Sequence, residues 1–148
     1  MQGIVVLAHG AIKVTDLDRS LDVYINKLGF PDMRRRNKDD GSTWLVYLRI
    51  TDDQYLEVFP GAENDRAPGW DANGMNHMCL AVEDIDAVVK RIEAAGISLL
   101  LPLKLAVDGN RQAWLEDPDG NRIELMEMDA NSLQLKAIAR LRGEAVPA

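Results

Sequence analysis

A chain of 148 residues, 47% hydrophobic and 28% charged, is long enough to bury a core as one compact domain and too apolar for wholesale disorder. Its 24 acidic residues outnumber 17 basic ones, for a net charge of -7, which argues against a nucleic-acid or anionic-membrane surface. The single cysteine, Cys79, excludes an internal disulfide and a cysteine-cluster metal site, and is expected to be a buried, inert thiol.

The amino terminus, "MQGIVVLAHG", has a brief apolar run and no basic segment, so no signal peptide is expected. No stretch approaches the roughly 20 apolar residues of a membrane span, and a cytoplasmic protein is expected. From His9 the run "HGAIKVTDLDRSLDVYINKLGF" begins as a strand of apolar and β-branched residues. It then turns helical, with Leu21, Tyr24, Ile25 and Leu28 at i, i+3, i+4 and i+7. Asp16 and Asp18 stand where an N-cap or first turn wants acid, and Gly29 where a helix stops. The basic run Arg34 to Arg36 is short and reads as a solvated strand face. "TWLVYLRI" and "YLEVF" are strands flanking a turn at "TDDQ".

After a Pro/Gly/Asn-rich connection, residues 60–76, the pattern repeats. "HMCLAVEDIDAVVKRIEAAGI" matches the first run, His77 against His9, Val82 against Val14, Asp84 against Asp16 and Asp86 against Asp18. Its helical face is Ile85, Val88, Val89 and Ile92, and it stops at Gly96. "RQAWLE" and "RIELMEM" then flank "DPDG", whose Pro and Gly are turn chemistry for a hairpin. A more polar helix over 131–142 follows. The expected organisation is an α+β fold in a single domain spanning 1–148. It has two βαβββ modules (4–60 and 77–128), a linker and a C-terminal helix.

The repeat also carries a His and a Glu in each copy. Glu57 follows His9 by 48 residues and Glu124 follows His77 by 47, while Gly29 and Gly96 lie 20 and 19 residues past their histidines. One length change of a single residue explains both offsets. On a strand alternate side chains share a face, so Tyr55, Glu57 and Phe59 point one way, as do Arg122, Glu124 and Met126. An unpaired carboxylate among such large side chains would be expensive. If the copies pack about a pseudo-twofold, His9, His77, Glu57 and Glu124 converge as a two-nitrogen, two-oxygen set. Such donors suit a divalent first-row ion, Zn, Ni, Co, Mn or Fe. An open metal position beside a carboxylate is a device for removing a proton next to a carbonyl.

With these segments and "EDPDGNRIELME", the chain from His9 to Met128 resembles the vicinal oxygen chelate superfamily, which includes glyoxalase I, methylmalonyl-CoA epimerase, extradiol dioxygenases and antibiotic-resistance proteins. Glyoxalase I is the best match. The resemblance implies half-open barrels of paired modules and a homodimer, with His9, Glu57, His77 and Glu124 as metal ligands. It implies Glu124 as the catalytic base with Glu57 as its partner, and a lyase or isomerase working on a small α-oxygenated carbonyl compound through an enediolate. Oxygenases of the superfamily use two histidines and one glutamate, and the epimerase commonly has glutamine at the Glu57 position. Fe(II) dioxygenase chemistry, acyl-CoA epimerisation and sequestration of a drug or metabolite are the alternatives. Bacterial glyoxalase I usually carries arginine where this chain has Lys13, and asparagine where it has Gly61. Lysine lacks the bidentate carboxylate fork of arginine, so the substrate-binding role of Lys13 leaves glutathione use open. Trp44, Trp70 and Trp114 are expected as packing residues.

Overall fold

The computed structural model describes residues 3–145; the ends of the expected domain, 1–2 and 146–148, lie outside them. Strands β1 (His9–Val14), β2 (Asp32–Asn37), β3 (Thr43–Arg49) and β4 (Tyr55–Pro60) form one sheet in the order β1-β4-β3-β2. Strands β5 (Met78–Ala81), β6 (Leu101–Leu105), β7 (Arg111–Glu116) and β8 (Arg122–Glu127) form a second in the order β5-β8-β7-β6. In each sheet the first strand runs parallel to the last and the other pairs are antiparallel. Helix α1 (Leu17–Leu21) follows β1, α2 (Ile85–Ala94) follows β5, and α3 (Leu133–Arg142) closes the chain. The architecture is therefore a βαβββ module repeated, plus a C-terminal helix. The chain divides into two compact units, one reaching to Gly74 and including Asp117–Asn121, the other made of Met75–Glu116 and the chain from Arg122 onward.

Equivalent residues start the first two helices. Asp16 accepts from the Arg19 amide at 3.0 Å and Asp84 from the Ala87 amide at 2.9 Å, so each aspartate satisfies a donor the helix leaves open. Gly29 and Gly96 then leave with φ of 85° and 80°, the left-handed conformation glycine adopts without penalty. In α2 the buried residues are Ile85, Val89 and Ile92, the face the periodicity picks out.

The first helix departs from its expected regular form. After Leu21 it widens into a π-helical segment, Asp22–Lys27, where the Leu28 amide donates to the Val23 carbonyl five residues back, at 2.8 Å. The wider turn brings Val23 inward beside Tyr24 and leaves Ile25 only half-buried. A π segment accommodates an extra residue within a helix. The single-residue excess of the first copy, seen in the His9 to Gly29 spacing, is absorbed here.

In the first sheet Val46, Leu48, Leu56 and Val58 are at most 1% exposed, so one face of β3 and β4 is core and the other carries Tyr47, Tyr55, Glu57 and Phe59. Residues 117–121 belong to the first unit although they connect β7 to β8. The Asp117 carboxylate accepts from the Tyr24 hydroxyl (2.9 Å), from the amides of Asp119 and Asn121 and from the Asn121 side chain. Asp119 accepts from the Thr15 amide and hydroxyl and from the Ser20 hydroxyl. Burial, reinforced by Asp117, pushes the Tyr24 phenol well above its ordinary range, and burial also raises Asp117.

Candidate metal-binding half-sites

In the first unit the parallel pairing of β1 with β4 sets His9 opposite Tyr55 and Ala11 opposite Glu57. His9 and Glu57 consequently lie on one face, with His9 Nε2 3.8 Å from Glu57 Oε2. The Glu57 side chain is only 14% exposed, while His9 is held by stacking on Tyr55, ring centroids 5.1 Å apart. Tyr47 braces Tyr55 from the next strand at 5.7 Å. Planar stacking restricts the imidazole without engaging its nitrogens.

The second unit repeats this register. Cys79 sits opposite Glu124 as Ala11 sits opposite Glu57, with the histidine two residues earlier in both cases. His77 Nε2 is 3.1 Å from Glu124 Oε2, and the Glu124 side chain is 10% exposed. The His77 ring meets Trp114 edge-on at 4.6 Å, and Trp114 lies opposite Glu124 on β7. His77 Nδ1 contacts the Asn76 side-chain oxygen at 3.0 Å, while the Asn76 carbonyl accepts from Arg122 Nε at 2.9 Å.

The donor chemistry fits a divalent cation. With Nδ1 donating to Asn76, His77 Nε2 carries a lone pair that faces a carboxylate oxygen. Two acceptors at that distance require a positive charge between them, a proton or a metal ion. Ligands of one first-row ion, each at about 2.1 Å, stand about 3 to 4 Å apart for bond angles between right and wide, which brackets the 3.1 and 3.8 Å separations. Among the described residues there is no cluster of three or more His, Cys, Asp or Glu side chains placed to hold an ion; each unit supplies one imidazole and one carboxylate.

Lys13 is opposite Phe59 and so shares the face of Glu57, two positions further along the sheet. Gly61 follows β4 with φ of 86°, a backbone conformation that disfavours asparagine less than most residues but suits glycine best. Two expectations are corrected. Cys79 is exposed rather than buried, because β5 is an edge strand with a neighbour on one side only. Its thiol is nevertheless pushed up to about 12, by partial burial first and then by Glu124, so it is protonated and unreactive at neutral pH. Trp114 is packed, but Trp44 and Trp70 are 43% and 48% exposed; Trp44 lies edge-on to Phe59 at 6.2 Å. Asn76 and Tyr47 are further residues of these sites that the His–Glu repeat does not mark. Tyr47 could have been found by strand parity with Glu57 across the hairpin, whereas nothing in the composition marks Asn76 beyond its place before His77.

A family model described as Glyoxalase/Bleomycin resistance protein/Dioxygenase superfamily matches residues 6–125. A protein of Synechocystis named probable lactoylglutathione lyase is 31% identical over 123 residues, covering 82% of this chain and 94% of that protein. The lactoylglutathione lyase of Pseudomonas aeruginosa is 27% identical over 150 residues, covering 85% and 84%. Among solved structures, a trypanothione-dependent glyoxalase I of Leishmania major superposes with a TM-score of 0.70 at 25% identity, covering 96% of this chain and 100% of that one.

Proposed function

The chain belongs to the Glyoxalase/Bleomycin resistance protein/Dioxygenase superfamily, and on that premise we propose that it is a metal-dependent lyase or isomerase of glyoxalase type. Its substrate is a small α-oxygenated carbonyl compound, converted through an enediolate. The observation that carries this reading is the His–Glu pair presented in the same strand register by both units. The proposed ligand set is His9, Glu57, His77 and Glu124. When bound, a divalent ion (Zn, Ni, Co, Mn or Fe) polarises the substrate carbonyl and stabilises the negative oxygen that develops beside it.

The remaining work falls to the chain's own side chains. Glu124 is the proposed base, taking the proton from the oxygenated carbon next to the carbonyl and returning it to the former carbonyl carbon, with Glu57 as its partner. Both carboxylates are largely withdrawn from water, which strengthens the electrostatic interactions made inside the site. Asn76 orients the His77 ring, and Tyr55 orients His9. Lys13, on the Glu57 face, meets an oxygen of the substrate. Among the described residues no helix is long and apolar enough to cross a membrane.

The test is elemental analysis of the purified protein, followed by reconstitution with each ion and assay on methylglyoxal with and without glutathione. Stoichiometric metal, turnover in heavy water with deuterium on the carbon next to the carbonyl, and loss of metal in Glu57→Gln are expected. Oxygen uptake on catechols, with metal retained in Glu57→Gln, would instead mark a three-ligand oxygenase. Absence of metal, with function untouched in His77→Ala, would mark a sequestering protein.

A further inference from the structure

The strand β2 is exposed along its whole length, as expected of a solvated basic run, but its three arginines do not share a face. Arg34 is opposite Tyr47, which is opposite Glu57, which is opposite Ala11. Directly paired residues project to the same side of a sheet, so Arg34 stands in the Glu57 row, about 10 Å from it across two strand spacings. Arg36 is two positions along β2, with its guanidinium 5.3 Å over the Trp44 ring, and Trp44 touches Phe59 in the row of Lys13. Arg35 is opposite core residue Val46 and therefore turns the other way, where Asp32 holds it at 2.6 Å.

The Glu57 face thus presents Lys13, Arg34 and Arg36 around Trp44, Tyr47 and Phe59. Among the described residues none of these cations has a carboxylate partner, whereas Arg49, also in this face's register opposite Tyr55, is neutralised by Asp52. In a chain of net charge -7, leaving such cations unpaired beside an aromatic platform selects for a ligand that brings its own negative charge. The second sheet differs at the position of Arg34. The row of Glu124 runs through Cys79, Trp114 and Leu101 and offers no cation, while the next row, through Ala81, Met126 and Gln112, ends on Lys104, a lysine where the first sheet has Arg36.

We propose that Arg34 and Arg36 form a recognition subsite for a fixed anionic group, carboxylate or phosphate, carried by the substrate about two strand spacings from Glu57, with Trp44 and Tyr47 supporting its apolar part. This rests on the reading of Glu57 as part of the reactive centre, and it assigns the substrate to the class of anionic carbonyl compounds. A guanidinium fork accepts either anion through two parallel hydrogen bonds.

Calorimetric titration of the full-length, metal-loaded protein with phenylphosphonate, benzoate and benzamide tests it. The anions bind and the neutral amide of the same size binds about tenfold more weakly, the ratio expected when a charge-assisted bond is lost. Arg34→Gln and Arg36→Gln each weaken the anions about tenfold while leaving benzamide unchanged. Arg34→Lys retains part of the affinity, and Arg35→Gln, which removes the same charge from the opposite face, changes nothing. Whichever of phenylphosphonate and benzoate binds tighter identifies the anion as phosphate or carboxylate. Equal losses in Arg34→Gln and Arg35→Gln, or anions that bind no better than benzamide, overturn the subsite. Metal content, measured on the same samples, judges the lyase reading separately.

Discussion

Replacing Tyr24 by Phe removes one hydroxyl from a side chain with no solvent exposure, and both its cost and its pH dependence follow from what that hydroxyl touches. It donates to a carboxylate oxygen of Asp117 at 2.9 Å, a bond to a charged acceptor worth about 1.5–3 kcal/mol. Asp117 keeps three other donors, including the Asn121 side chain at 2.8 Å on the same oxygen. The carboxylate is not orphaned, so the loss falls at the lower end, about 1.5 kcal/mol near neutral pH. The native phenol titrates well above 10 because burial and Asp117 oppose its ionisation. Above pH 10 the unfolded chain loses that proton while the native chain keeps it. Wild-type stability is accordingly complete below pH 10 and declines as pH climbs toward the native value, by up to about 1.4 kcal/mol per pH unit. Phe has no such slope. Denaturant unfolding followed by circular dichroism from pH 8 to 11.5 should show Tyr24→Phe less stable at pH 8, with the gap to wild type closing above pH 10. A gap that stays constant or widens above pH 10 would refute the argument, as would equal stability at pH 8.

Asn76→Ala frees the His77 ring to rotate and change tautomer, and a lost outer partner of a ligating imidazole typically weakens metal binding about 10- to 100-fold; competition with a fluorescent chelator measures it, and unchanged affinity would separate Asn76 from the site. Asp84→Ala removes the cap of α2 and should cost about 1 kcal/mol, read as a shift in denaturation midpoint, with Asp84→Asn nearly neutral. Leu48→Ala, at a side chain with no exposure, should cost about 2–5 kcal/mol through lost burial and the cavity left behind. Gly120→Ala places a Cβ at φ 79°, within 2.8 Å of the Arg66 side chain; the backbone strain alone is about 1–2 kcal/mol, and thermal melts should show it.

Much of the fold was legible because the pattern is local and stated twice. The strand "RQAWLE" is β7 residue for residue, both capping aspartates are in place, and the buried face of α2 is the one its periodicity marks. The His and Glu of each copy could be paired because strand parity and a repeat offset survive without tertiary knowledge. What escaped depended on geometry that periodicity does not encode. A helical wheel drawn at 3.6 residues per turn put Ile25 inside, where the π segment puts Val23. Cys79 stands in an apolar run, which suggests burial, but β5 is at the edge of its sheet. The basic run on β2 looked uniform until register split Arg34 and Arg36 from Arg35. The partnership of Tyr24 with Asp117 spans 93 positions, and neither residue carries a local sign of the other.

That last partnership makes the first unit discontinuous in sequence. A ribosome that has released only the chain up to Gly74 has supplied every strand of the first sheet, yet Tyr24 and Thr15 still lack the acceptors that Asp117 and Asp119 provide. The amino-terminal half therefore cannot finish folding as it emerges. It stays incomplete until the turn residues arrive, by which time most of the second sheet has been synthesised. Cleavage in the intervening connection would leave two fragments, and the first would not hold all of its own core.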